Sequence, residues 1–325
     1  SQSCRLLTRR SSSPWKGVNG MKTLLPQFDY VRPSSLDEAL RILDRYDGQA
    51  EVLAGGTDLL VKLKDKLTYD KKIIVDVNRL KELDYVRRVG DEVFVGALTR
   101  VETLYVSDDL RQTTPLLAEV GHEFGTWQIR NTATIGGNLA NASNSNDYGV
   151  ALMVLDAKLR IKSLKDERTL SVEKFFLANH KADIRPGELL VEVSFKVPAQ
   201  GSGTAFLKME GRESSSYPII NSAALVRLNS KQEIEEARLA VGGAAPTPIR
   251  LRSVEEKLRG LGLNDWESTD SVLREVKNHV NPSSTNAASR RYKVEMAYVY
   301  VKRALQAAAS RAGFLSEGVS TGLRR

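Results

Sequence analysis

Cysteine is nearly absent: the 325 residues contain one, Cys4. A single thiol excludes an internal disulfide, a cysteine-ligated iron–sulfur cluster and a cysteine-based zinc site within the body of the chain. The three histidines, His122, His180 and His279, are too scattered to suggest a metal site. Long apolar runs are missing as well. The longest, such as Gly149 to Leu155, suit buried strands or helix turns. A membrane helix needs about 18 to 20 apolar residues in a row, so no membrane insertion is expected. A chain without disulfides fits a reducing cytoplasm. Internal repeats and low-complexity tracts are absent.

Charge is what the chain has in excess, but it sits at the ends. The net charge is +8. Residues 1–20 carry Arg5, Arg9, Arg10 and Lys16 with no acid, and residues 310–325 carry Arg311, Arg324 and Arg325 against Glu317. That leaves only about +2 for the body. No basic stripe with interleaved aromatics is present, so nucleic acid is not an expected partner. Residues 1–20 lack the apolar core of a secretory signal. They read as a leader or tag outside the fold, with Met21 as the expected natural start.

The body is long enough for two domains. Phe28 to Pro33 reads as a strand ending in a proline turn. Ser35, with Glu38 three residues on, is a capping-box start for a helix striped by Leu36, Leu40 and Leu43. Strands follow at Glu51 to Ala54 and Ile73 to Val77, with a helix at Thr57 to Leu63 between them. Val86 to Gly96 alternates like a hairpin, and Pro115 to Gln128 looks helical. Leu159 to Ser163 and Leu190 to Phe195 read as amphipathic strands. Pro198 to Gly203 is the best linker. Beyond it come strands at Ala223 to Leu228 and Ile234 to Val241. Helices follow at Ser253 to Leu261, Asp270 to Val280 and Ala287 to Ala309. The tail from Ser310 is expected to be loose.

Two glycine pairs carry the chemistry. In Leu53-Ala54-Gly55-Gly56-Thr57-Asp58-Leu59 a strand runs into glycines and then a helix. Glycines let the backbone bend and approach a ligand closely. Successive N–H groups and a helix start favour an anion there. The same residues also suit a plain strand–helix turn with a capping side chain. The second pair, Thr134-Ile135-Gly136-Gly137-Asn138, reads as another glycine turn. It leads into an amide- and hydroxyl-rich run through Asn141 to Asp147. Such small polar groups suit a sugar–phosphate contact, or a polar surface loop. Neither turn has the G-x-G-x-x-G or P-loop spacing, so a Rossmann or nucleoside-triphosphatase site is unsupported.

Taken in order, these runs resemble the FAD-binding (medium) subunits of the molybdenum hydroxylase family, of the xanthine dehydrogenase and carbon monoxide dehydrogenase type. Ala54 to Leu59 is similar to the family's first flavin motif and Thr134 to Asn138 to its second. Gly96 to Thr99, Gln128 to Asn131, Pro186 to Leu190, Val241 to Pro248 and Arg290-Arg291-Tyr292 also resemble it, across Phe28 to Ala307. The resemblance implies an α+β fold. A two-subdomain FAD-binding domain of the vanillyl-alcohol-oxidase/PCMH type would span residues 21–200. A C-terminal antiparallel sheet with helices would span 203–309, and 310–325 would be the tail.

FAD is the implied cofactor. The backbone of Leu53, Ala54, Gly55, Gly56, Thr57, Asp58 and Leu59 would wrap its diphosphate, and Thr134, Gly137 and Asn138 would hold it from the other side. Asp147 would bind farther along through its carboxylate. Phe124 and Gly125 fall where the family places residues against FAD. Leu190 would pack on it near the domain boundary, and Lys208 would reach the flavin from the C-terminal domain. Thr99, Gly136 and Asn141 lie in the same motifs and join the set. Without the resemblance, Phe124 and Leu190 read as ordinary core and Lys208 as a solvated strand charge. After that lysine the chain has Gly211 to Pro218 in place of the Arg-rich acidic run of xanthine dehydrogenases, which favours substrates other than purines. The cysteine-bearing insertion of 4-hydroxybenzoyl-CoA reductase flavin subunits is also lacking.

The implied function is an electron-transfer subunit. A molybdenum-cofactor large subunit would hydroxylate substrate, and an iron–sulfur small subunit would pass electrons to FAD. NAD, a quinone or another terminal acceptor would take them, in a heterotrimer. The protein supplies binding, orientation and electrostatics to such a cofactor. Two alternatives stand: a self-contained FAD-dependent oxidase or reductase, and a flavin-free assembly scaffold.

Overall fold

A computed structural model describes residues 26–64, 71–211, 217–262 and 265–317 of the chain. The expected leader, the start at Met21 and residues 212–216 lie outside the described residues. Strands β1 (Asp29–Val31), β2 (Ala50–Leu53) and β3 (Ile73–Asp76) form a parallel sheet in the order β1-β3-β2. The helix Leu36–Tyr46 connects β1 to β2 and buries Ala39, Leu40 and Leu43. Ser35 Oγ caps it by accepting from Glu38 N at 3.2 Å. Glu38 does not complete the box on Ser35; its carboxylate accepts from Ser34 N at 2.8 Å and Ser34 Oγ at 2.7 Å.

A second, antiparallel sheet contains β4 (Val86–Val89), β5 (Glu92–Gly96), β6 (Lys158–Lys162), β7 (Glu167–Ser171) and, beyond the small pair β8 (Phe176–Ala178) and β9 (Lys181–Ala182), strand β10 (Leu189–Lys196). Its order is β4-β5-β10-β6-β7. The register of β10 against β6 shifts between Leu190 and Glu192. A bulge changes which way successive side chains face. Leu189 and Val191 accordingly pack with the first sheet's core, while Leu190, Val193 and Phe195 pack in the central core with Val93 and Val95.

The third sheet holds β11 (Ser202–Glu210), β12 (Pro218–Leu228), β13 (Ile234–Gly242) and β14 (Ile249–Arg250), all antiparallel in chain order. Its side chains alternate between two cores, as a pleat requires. Phe206, Ala223 and Leu225 join the central core, whereas Ala205, Ala224 and Val226 join the core under the long helix Arg290–Glu317. Burial on both faces explains the continuous apolar run Ala223 to Val226 within β12.

That helix runs to Glu317, so residues 310–317 of the tail expected to be loose continue the helix, and the rest of the tail lies outside the described residues. Arg311 supplies a reason. Its Nη1 meets Glu119 Oε1 at 2.6 Å and donates to Thr204 O. Burial pushes the Glu119 carboxyl up despite Arg311 and the Phe206 N–H. Arg311→Ala is expected to destabilise the chain by about 1–2 kcal/mol, because a half-buried carboxylate loses its partner. Thermal melting checks this, and an unchanged midpoint contradicts it. Among the described residues no helix is long and apolar enough to cross a membrane.

Candidate functional site

The first glycine pair follows β2 directly and the helix Leu59–Lys64 begins after it. Gly56 has φ +73°, a left-handed conformation that favours glycine. Gly55 answers to a different constraint. A Cβ there would lie 2.2 Å from Thr132 O and 2.9 Å from Ala133 Cα. The first elbow is therefore in backbone contact with the segment that leads into the second.

The second pair corrects the sequence reading: it is no turn but the first turn of the helix Ile135–Asn141. Thr134 is its N-cap, with Oγ1 accepting from Gly137 N at 3.0 Å. Gly136 donates its N–H to Ala97 O at 2.9 Å, and a Cβ on it would sit 2.6 Å from that oxygen. Gly137 lies on the same turn. Glycine's poor helix propensity made a turn the natural reading; close packing on Ala97 overrides it.

Between the elbows lies a cleft of about 780 Å³. Ala54, Gly55, Gly56, Thr57, Asp58 and Leu59 line one part, and Thr134, Gly136, Gly137, Asn138 and Asn141 another. Phe124 and Leu190 complete the set of expected residues on the wall. Its size falls within the ~300–1,000 Å³ common for cofactor sites. Asn138 Oδ1 is buried with no hydrogen-bond partner among the described residues, a polar atom left for a ligand.

Five expected residues are not on the wall. Leu53 ends β2, and its carbonyl accepts from Val77 N at 3.0 Å. Thr99 is fully buried; its hydroxyl donates to Tyr85 O at 2.9 Å and accepts from Tyr85 N at 3.2 Å. Gly125 has φ +50° and breaks the helix Pro115–Glu123 from the short helix Trp127–Arg130. Asp147 and Lys208 pair in the interior. Lys208 sits on β11 opposite Asn221 of β12, and both face the helix Asp147–Val154.

Lys208 is no solvated strand charge. Its side chain is 2% exposed, with Nζ 3.2 Å from Asp147 Oδ2 and 2.9 Å from Glu210 Oε1. It also donates to Glu123 O at 2.9 Å, and Asn221 donates to Asp147 Oδ1 and to Ser145 O. Among the described residues one ammonium faces two carboxylates. Burial pushes the Asp147 carboxyl up, with Glu210 adding to it against the pull of Lys208. The two carboxylates outweigh burial at Lys208 and hold its ammonium charged above the usual lysine range.

Sequence reasoning missed several residues that shape the cleft. Lys62 Nζ donates to Asn141 Oδ1 at 2.8 Å, joining the helices that follow the two elbows. His180 is held at φ +58°, with Nδ1 3.0 Å from Asn141 O. The Val241–Pro248 run contributes through its backbone. Gly243 N donates to Asn144 O at 2.8 Å, so the C-terminal sheet pins the amide-rich loop. The signal available for Lys62 was its helical position just after the first elbow.

A glycine corner and a glycine-rich helix start facing one cleft, with an orphaned amide on its wall, suit a flavoprotein that holds a dinucleotide without a Rossmann loop. Comparison with known proteins narrows this. Residues 26–199 match the FAD binding domain in molybdopterin dehydrogenase, and residues 205–308 match the CO dehydrogenase flavoprotein C-terminal domain. The glyceraldehyde dehydrogenase medium chain of Sulfolobus acidocaldarius is 33% identical over 281 residues, covering 86% of this chain and 98% of that protein. The carbon monoxide dehydrogenase medium chain of Hydrogenophaga pseudoflava is 30% identical over 286 residues, covering 88% and 98%. The structure of the carbon monoxide dehydrogenase from Hydrogenophaga pseudoflava lacking the Mo-pyranopterin moiety superposes with TM-score 0.85 at 30% identity. It covers 89% of this chain and 99% of the matched one. The chain belongs to the FAD-binding medium subunits of the molybdenum hydroxylase family, an oxidoreductase component whose cofactor is FAD.

Proposed function

We propose that FAD lies in this cleft with its diphosphate between the two elbows, and that the chain relays electrons within a larger complex. The observation that carries the reading is Gly55 seated on Thr132 and Ala133, which brings both elbows to one cleft. Ala54 to Leu59 would hold the diphosphate on one side. Thr134, Gly136, Gly137, Asn138 and Asn141 would hold it on the other. The donor set fits: backbone corners and a helix start favour an anion, and Lys62 adds a cation. Phe124 and Leu190 would supply apolar contact farther along. Leu53, Thr99 and Gly125 would shape the cleft from behind, and Asp147 and Lys208 would approach the cofactor from the interdomain cluster. FAD supplies the exchange of single electrons or pairs; this chain's residues bind it, orient it and exclude water. Residues 21–200 would form the cofactor domain and 203–309 the covering domain.

The proposed partners are a molybdenum-cofactor large subunit and an iron–sulfur small subunit, in a cytoplasmic heterotrimer, with NAD, a quinone or another terminal acceptor. Relatives named as medium chains of such dehydrogenases support this. The expected result is that the purified chain binds one FAD yet does not hydroxylate aldehydes or N-heterocycles alone. Co-purification with its complex, followed by flavin, iron and molybdenum analysis, is expected to find all three. Turnover by the isolated chain would overturn the relay reading. Lys62→Met is expected to weaken FAD binding by roughly three- to ten-fold, more at low salt than at high. Fluorescence titration at two ionic strengths checks it, and a salt-independent affinity equal to wild type contradicts it.

A further inference from the structure

We propose that Arg100 and Asn78 are positioning residues that lock the two elbows together from behind and so set how tightly the diphosphate is held. The inference rests on the placement of FAD proposed above. Neither residue is on the cleft wall. They act through the backbone. Arg100 donates through Nη1 to Thr132 O and through Nη2 to Asn78 Oδ1 at 2.9 Å. Asn78 in turn donates through Nδ2 to Ala54 O at 2.7 Å. One continuous line of hydrogen bonds therefore runs from the segment before the second elbow to the first residue of the first.

The line is anchored at its far end. Asp76 Oδ1 accepts from Asn78 Nδ2 at 2.7 Å and from Asn78 N at 3.0 Å. Asp76 Oδ2 takes the Tyr30 hydroxyl and lies 3.2 Å from Arg32 Nε. Burial works against the Asp76 carboxylate, but these donors outweigh it and hold the group below the usual carboxylate range. The brace keeps its charge at neutral pH.

The brace controls two features of the cleft. Thr132 O is the atom on which Gly55 sits, so Arg100 fixes the surface that receives the first elbow. The described peptides are all trans. In a trans peptide the carbonyl of Ala54 and the N–H of Gly55 point in opposite directions. Anchoring that carbonyl on Asn78 fixes the Gly55 N–H on the side away from the brace. Backbone donors held in advance bind an anion better than donors that must be ordered on binding. The residues flanking Arg100 are also tied to the start of the helix Ile135–Asn141, since Val101 N donates to Ala133 O and Ile135 N to Thr99 O, both at 3.0 Å.

The test uses the full chain stripped of flavin. Asn78→Asp keeps the size and removes the donor to Ala54 O. Arg100→Lys keeps the charge and cannot serve both acceptors; Arg100→Met serves neither. FAD affinity is expected to fall on the order of ten-fold in Asn78→Asp and Arg100→Met, as one lost anchoring hydrogen bond implies. Arg100→Lys is expected to recover part of it. The Asn78→Asp/Arg100→Met double variant is expected to lose little more than either alone, because both cut one line. The phosphorus NMR signals of bound FAD are expected to shift and broaden, which a merely structural role would not produce. Folded variants that keep wild-type affinity and wild-type phosphorus signals overturn the proposal. Wild-type protein whose phosphorus signals do not change when FAD binds overturns instead the placement of the diphosphate.

Discussion

Gly55→Ala is expected to abolish measurable FAD binding, a loss of at least about 100-fold, while the rest of the chain stays folded. The added methyl would meet Thr132 O at 2.2 Å, Thr132 C at 2.8 Å and Ala133 Cα at 2.9 Å. All three are backbone atoms, so no side-chain rotation relieves the clash. Overpacking of this kind costs about 1–3 kcal/mol when the surroundings can shift. Here Arg100 holds Thr132, so the first elbow must move instead, and the cleft opens. Gly136→Ala is expected to act alike from the other side, against Ala97 O at 2.6 Å and Ala97 Cβ at 2.7 Å. A loss of 100-fold corresponds to about 2.7 kcal/mol, within reach of one displaced wall. Fluorescence quenching of FAD measures the affinity, and circular dichroism checks that the fold survives. A folded Gly55→Ala chain with wild-type affinity contradicts the account.

Lys208→Met is expected to destabilise the chain by about 3–5 kcal/mol, the usual result of removing one partner from a buried ionic cluster. The Asp147 and Glu210 side chains are only 8% and 14% exposed, and Lys208 is their shared cation. Asn221 donates to Asp147 but carries no charge. A drop of roughly ten degrees in melting temperature follows at this chain length. The pH dependence has a definite sign. The folded-state value of Asp147 is raised, so its stability contribution is full below the unfolded value of about 3.9 and is lost as pH rises through the folded value. Without Lys208 that loss deepens, so the variant's deficit is expected to be larger at pH 8 than at pH 5. Adding Asp147→Asn is expected to recover much of it. A variant that melts like wild type at pH 8 shows that Lys208 does not hold the two buried carboxylates as described.

The parts of the fold that were legible in the sequence are those set by local pattern. Ser35 announces its helix, and the alternating runs announce β5, β6 and β10. The first elbow was readable because a strand, two glycines and a helix follow within ten residues. The second was half readable. Thr134 has the side chain of an N-cap, but two glycines after it masked the helix. What no local pattern carries is pairing at a distance. Asn78 reaches Ala54 across 24 residues and Arg100 reaches Thr132 across 32. Lys208 looked like a surface charge because its partner, Asp147, lies far earlier in the chain, on the helix Asp147–Val154. Thr99 matched a motif, yet its hydroxyl closes the loop at Tyr85.

The proposed placement of FAD is tested most directly by calorimetric titration of the flavin-free chain with FAD and, separately, with riboflavin. If the elbows clasp the diphosphate, FAD binds with one site per chain, and riboflavin, which has no phosphate, binds at least about 100-fold more weakly. Riboflavin binding as tightly as FAD would mean that the glycine corners hold nothing, and the account would be wrong at its base.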